Sequence, residues 1–142
     1  MADFSTRPMQ ASDEGFVFSA WLAGFGDSDP TARVFGYRGL RPEWWLSWHR
    51  TIEQLLVLPN TRTLVAHVIG EPNQLLGFVS GAAPNILHWL YVKQAYRRLG
   101  IGTTLLRAAF PDANSGDCTF WSRHLLASAW RYNPERLQEL FP

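Results

Sequence analysis

The stretch Ile86-Leu87-His88-Trp89-Leu90-Tyr91-Val92-Lys93-Gln94-Ala95-Tyr96-Arg97-Arg98-Leu99-Gly100-Ile101-Gly102-Thr103-Thr104-Leu105-Leu106 decides how this chain folds. Ile86 to Val92 is nearly continuous apolar sequence, which predicts a strand covered on both faces. Gly100 to Phe110 predicts a helix with Leu105, Leu106 and Ala109 on its apolar side. Between them lies a basic turn that opens directly into the helix. Backbone N–H groups in the first turn of a helix have no intrahelical acceptor and point outward at the positive end of the helix dipole. Such an end suits an anion. Gly100 and Gly102 carry no Cβ, so a bulky anion can approach the backbone, and Arg97 and Arg98 add charge beside it. The residues themselves therefore predict binding of a phosphate or pyrophosphate; the plainer reading is a tight turn with a basic surface. The chain has no Gly-x-x-x-x-Gly-Lys-Ser/Thr run, and Arg-x-x-Gly-x-Gly lacks the third glycine of a dinucleotide fingerprint.

Outward from this core, Phe4 to Met9 reads as a first strand. Ser12-Asp13-Glu14 resembles a helix start, and the helix is expected to end near Gly24-Phe25-Gly26. Asp27 to Gly39 reads as a loop. Arg41-Pro42-Glu43 opens a second helix, with Trp45, Trp48, His49, Ile52, Leu55 and Leu56 on one buried stripe. Thr63 to Ile69 and Leu75 to Gly81 read as strands around a Gly70–Asn73 turn. Cys118 to Trp121 reads as a short strand and Leu125 to Trp130 as a helix. A last short helix starts at Asn133-Pro134-Glu135. The expected order is β-α-α-β-β-β-α-β-α-α.

Bulk properties narrow the function classes. At 142 residues the chain suits one domain over 1–142, long enough for a sizeable core. A hydrophobic share of 46% against 18% charged residues places it among globular rather than disordered chains. The net charge of +1 gives no global field for nucleic acid or an anionic membrane. Lys93 is the lone lysine, so the basic residues are otherwise arginines, which favour forked contacts to phosphate and carboxylate. Cys118 is the lone cysteine, which rules out an intrachain disulfide. The N-terminal residues show no signal-peptide pattern and no apolar run reaches membrane-spanning length, so a cytoplasmic setting is expected.

The segment from Leu90 to Leu106 resembles motif A of the GNAT (GCN5-related N-acetyltransferase) superfamily. That family's loop reads Arg/Gln-x-x-Gly-x-Gly/Ala, matched here by Arg97, Gly100 and Gly102, and the preceding strand ends Leu-Tyr-Val. The element order also follows the family fold up to the helix after the fifth strand. The resemblance implies an α/β (α+β) domain with a mixed, mostly antiparallel central sheet flanked by helices. It implies an acyl-CoA-dependent N-acyltransferase, with acetyl-CoA or another acyl-CoA lying in a splay between Ile86–Val92 and Cys118–Trp121. The pantetheine would bond the backbone around Leu90, Tyr91 and Val92. The pyrophosphate would sit on the loop of Arg97, Arg98, Leu99, Gly100, Ile101, Gly102 and Thr103. An amine attacks the thioester directly, so the enzyme must position two reactants, hold developing charge and move protons.

Further residues take candidate roles. Tyr132 matches the family's thiolate-protonating tyrosine, placed after the helix that follows the fifth strand; Ser122, His124, Ala127 and Ala129 ahead of it depart from the family's Asn-x-x-Ala-x-x-x-Tyr. The plainer reading of Tyr132 is packing under the last helix. His88 is a candidate general base, sharing a face with Ile86, Leu90 and Val92 by strand alternation; the plainer reading is a hydrogen-bonded core histidine. Trp44 is a candidate for the acceptor site, with Trp45 and Trp48 assigned to the core. Cys118 reads as a buried small residue, and no metal-ligand spacing is present. The chain ends before the family's closing strand pair, which leaves the fifth strand as a possible exposed edge and the acceptor site open or completed by a second subunit in a homodimer. The acceptor amine is unspecified. Two other readings stand beside the enzyme: a catalytically weak GNAT-like module that binds CoA or a protein partner, and nucleic-acid base modification.

Overall fold

A computed structural model describes residues 3–28, 41–113, 115–120 and 130–140. Six strands form one sheet in sequence order: β1 Phe4–Pro8, β2 Thr61–Val68, β3 Glu71–Ala82, β4 Ile86–Val92, β5 Gly116–Cys118 and β6 Trp130–Tyr132. The first four pair antiparallel, whereas β5 runs parallel to β4 and β6 parallel to β5. The helices are α1 Glu14–Ser28, α2 Arg41–Leu56, α3 Ile101–Ala109 and α4 Arg136–Leu140. This is the mixed, mostly antiparallel sheet with flanking helices that the sequence implies.

Alternation along the strands divides the apolar residues between two faces. Phe78 and Trp89 face α1 and α2, where Val17, Trp21, Phe25, Ile52 and Leu55 close one cluster. Leu76, Val79 and Leu87 face α3, where Ile101, Leu105 and Ala109 close the other. The spacing of Ile101, Leu105 and Ala109, one helical turn apart each time, is why the segment after Gly100 settles as a helix on this face. The start of α1 is fixed by charge. Asp13 accepts Arg7 Nη1 and Nη2 at 2.6 and 3.1 Å and the Gln10 N–H at 2.8 Å. The Arg7 hydrogen bond is the main cause holding the buried Asp13 carboxyl below its ordinary value, against the opposing effect of burial.

Three expectations need correction. The β2–β3 turn is tighter than Gly70–Asn73: Val68 already faces Glu71, so Ile69 and Gly70 make the turn, with Gly70 in the left-handed region at φ +84°. Trp130 begins a strand rather than ending a helix, and residues 121–129, including Ser122, His124, Ala127 and Ala129, lie outside the described part. Finally, β5 is not an exposed edge, because β6 pairs with it from Gly116↔Trp130 to Cys118↔Tyr132. Asp117 secures that addition. It accepts Arg136 Nη1 at 2.9 Å, Asn133 Nδ2 at 3.2 Å and Arg131 Nη2 at 3.3 Å, tying β5, β6 and α4 together. Burial raises the Asp117 carboxyl, but these donors outweigh it and leave the group below its ordinary value.

Candidate functional site

The loop from Lys93 to Gly100 is shaped by two short-range devices. Gln94–Tyr96 forms a 3-10 turn, with Tyr96 N–H donating to the Lys93 carbonyl at 2.9 Å and Arg97 N–H to Gln94 at 3.3 Å. Arg98 and Gly100 then take φ of +66° and +87°, the left-handed region. For Arg98, a non-glycine, this stores about 1–3 kcal/mol of strain, of the kind concentrated at functional loops. Gly100 caps α3, and the first helical bond runs from Thr104 N–H to the Gly100 carbonyl at 3.0 Å, with Thr104 Oγ1 donating to the same oxygen at 2.8 Å. The N–H groups of Ile101, Gly102 and Thr103 precede that bond and have no acceptor among the described residues. Arg97, Arg98, Leu99 and Gly100 are exposed. A Cβ at Gly102 would lie 3.7 Å from Leu90 Cδ2 and Val92 Cγ2, which places this first turn directly over the end of β4.

Beside this end of α3 the described pairing of β4 with β5 comes to an end. β4 and β5 are in register at Ile86↔Asp117 and Leu87↔Cys118, and Thr119 N–H donates to the Leu87 carbonyl at 3.0 Å. Past that bond β4 continues to Val92 while β5 has ended. The burial of β4 changes at the same place: Ile86 to Trp89 are buried, and Leu90, Tyr91 and Val92 are half-buried. The Val92 carbonyl accepts Arg97 Nε at 2.8 Å, so this arginine braces the loop against the end of β4.

His88 is not where strand alternation puts it. Ser80 faces Trp89 and Gly81 faces Leu87, which leaves His88 as the extra residue of a β-bulge. The bulge turns it away from Leu90 and Val92 to the α1 face, where its ring stacks with Trp21 at 6.2 Å and lies 6.5 Å from Phe120. The side chain is 1% exposed, Nδ1 lies 2.6 Å from Thr119 Oγ1, and Nε2 is closed off without a partner. Burial pushes the imidazole down to about 4, so the ring is neutral at physiological pH. A group so enclosed does not suit the general-base role, because its Nε2 has no polar partner among the described residues to relay a proton. It does affect stability. Between pH 6.5 and about 4 the unfolded chain takes up a proton that the folded chain refuses, so stability falls as pH falls through that window. Urea unfolding is expected to show a loss of about 2 kcal/mol between pH 7 and pH 5 from this residue, and the His88→Leu variant to lack that increment.

Tyr132 stands on β6, in register with Cys118, and its side chain is half-exposed. It thus lies one strand beyond β5, rather than at the end of a helix. Trp44 belongs to α2, but its side chain lies outside the described part. Trp45 and Trp48 pack on the α1–α2 cluster. Cys118 is buried, and burial, with a smaller contribution from Asp117, raises its thiol to about 12. Such a thiol is no nucleophile. Thr119 and Phe120 belong to the site but draw no notice in the sequence reading. The signal was Thr119 itself, a polar residue inside the apolar run Cys118–Trp121. Among the described residues no group of three or more His, Cys, Asp or Glu is placed to hold a metal ion. Nor is any described helix long and apolar enough to cross a membrane.

Comparison with known proteins gives a consistent result. A family model described as the acetyltransferase (GNAT) family matches residues 5–129. No curated protein sequence matches the chain. Among solved structures, a GCN5-related N-acetyltransferase from Rhodopseudomonas palustris superposes with a TM-score of 0.50 at 21% identity, over 76% of this chain and 64% of that one. The PaiA N-acetyltransferase from Thermoplasma acidophilum, solved with coenzyme A, gives 0.50 at 18% identity over 75% and 69%. A glucosamine N-acetyltransferase region of a fungal multi-domain β-N-acetylglucosaminidase gives 0.50 at 20% identity, over 77% of this chain and 12% of that one. The chain thus spans less than two thirds of the Rhodopseudomonas protein and a small part of the fungal one.

Proposed function

Because the chain belongs to the acetyltransferase (GNAT) family, whose members use acetyl-CoA, we propose that it transfers an acyl group from acetyl-CoA, or another acyl-CoA, to an amine. One observation carries the reading. Unpartnered N–H groups at the start of α3 lie over the end of β4 that is half-buried. An anion site and an open strand edge placed together fit one extended ligand with a diphosphate at one end and an amide-bearing arm at the other.

In this reading Ile101, Gly102 and Thr103 hold the diphosphate through their backbone, beside the charge of Arg98. Leu90, Tyr91 and Val92 line the pantetheine arm. The thioester of the donor supplies the acyl group. No protein nucleophile is required, which agrees with the burial of Cys118. Holding donor and amine together accounts for much of the rate, since orientation of two bound reactants is worth several powers of ten. Tyr132 supplies the proton to the departing sulfur.

The test is release of free thiol from acetyl-CoA by the purified chain across a panel of amines, with calorimetric binding of CoA measured beside it. Amine-dependent thiol release is expected. CoA binding without turnover for any amine would leave only a CoA-binding module, and absence of CoA binding would overturn both readings.

A further inference from the structure

The end of the described β4–β5 pairing is held by a side-chain pair whose work the fold alone does not explain. The last backbone bond between the two strands is Thr119 N–H to the Leu87 carbonyl at 3.0 Å. The next residue on β4 is His88, and its Nδ1 meets Thr119 Oγ1 at 2.6 Å. Both residues are buried, at 1% and 2% exposure, in surroundings that are otherwise aromatic, with Trp21 and Phe120 against the ring. His88 is the extra residue of the β4 bulge, and the last described backbone bond between β4 and β5 lies at Leu87, just before it.

The direction of the bond depends on the histidine tautomer, and counting unpaired groups favours one of the two. The Thr119 hydroxyl has no other hydrogen-bond partner among the described residues, so donation from Nδ1–H would orphan both the hydroxyl proton and the Nε2 lone pair. Donation from Thr119 to Nδ1 leaves one unpaired group, the Nε2–H, and is the arrangement we assign. In so apolar a setting the bond is strong when made and costly when broken.

We propose that His88 and Thr119 form a clasp that fixes where β4 and β5 part, and so act as positioning residues for the reacting end of the donor site. The proposal rests on the acyl-CoA reading above. The diphosphate is gripped by α3, whereas the clasp sets the separation of the strands at this point. Loss of the clasp should therefore disturb placement of the reacting bond while leaving most of the binding affinity in place.

The variant Thr119→Val removes the hydroxyl and keeps the branched shape. With an amine that supports turnover, kcat is expected to fall about tenfold or more while the affinity for CoA stays within about threefold, and Thr119→Ser is expected to recover most of the loss. In nitrogen-15 spectra, His88 of the parent should show the Nε2–H tautomer, and Thr119→Val should lose that fixed preference. Three results would overturn the clasp while the donor reading stands: an unchanged kcat in folded Thr119→Val, a kcat loss matched by an equal loss of CoA affinity, or no recovery in Thr119→Ser. A parent chain that neither binds CoA nor turns over would overturn the donor reading, and the positioning role with it. The tautomer signature would then show that the hydrogen bond itself was correctly identified.

Discussion

Replacing Gly102 with Glu is expected to abolish detectable CoA binding while leaving the chain folded. The expectation has two independent parts. A Cβ at Gly102 is tolerated, because it meets nothing closer than Leu90 and Val92 at 3.7 Å, an ordinary contact, and the thermal melt tests whether the rest of the side chain is. An acidic residue in the first turn of a helix is also electrostatically welcome, so α3 should not weaken. The same carboxylate would stand where the diphosphate is held. Like charges brought together in a binding site cost several kcal/mol, which corresponds to a loss of about 100-fold or more in affinity. Calorimetry with CoA and a thermal melt on the same preparation check both parts. A folded variant that binds CoA as the parent does would refute the assignment of this turn. Gly100 is a poorer place for the experiment. Its φ of +87° strains any side chain, so lost binding there would not be separable from a distorted loop.

For Tyr132→Phe the expected result is a fall in kcat of about 100-fold with CoA affinity unchanged, the scale typical of losing a positioned proton donor. The ring is half-exposed on β6, so removing the hydroxyl leaves no buried cavity, and a thermal melt of the variant separates a loss of fold from a loss of catalysis. Its backbone is in register with Cys118, whose own neighbour on β4 is Leu87, so the tyrosine sits level with the last described β4–β5 pair. The pH dependence of kcat gives a second readout, because a proton donor shapes the alkaline limb of the profile. An unchanged kcat would remove Tyr132 from the reaction and leave it a surface residue of the sixth strand.

How much of this was legible in advance depends on how local each feature is. The glycine-bearing helix start was legible because everything it needs lies in one unbroken run. Ile86 to Val92 declares a buried strand, Ile101, Leu105 and Ala109 declare a helix face, and Gly100 with Gly102 marks the turn between them. Free N–H groups at a helix start follow from helical hydrogen bonding itself, whatever packs around it. Asp13 as the start of the first helix was legible for the same reason. The role of Arg97 was half legible: its charge was plain, but its use as a brace on the Val92 carbonyl required the turn to fold back on β4.

By itself, then, the sequence determined the covalently contiguous parts of this protein: the order of its elements through α3, the glycine-bearing helix start, and through them the family. Only the tertiary structure decided the facing of His88, its pairing with Thr119 and the sixth strand. His88 changed sides because the bulge depends on how β4 registers against β3, and one unpaired residue there reverses the alternation that strand periodicity assumes. Trp130 to Tyr132 became a strand because β5 offers it an edge and Asp117 holds Arg131, Asn133 and Arg136 beside it. Pairings between distant segments are set by competition among all available partners, and no local run of residues carries that information.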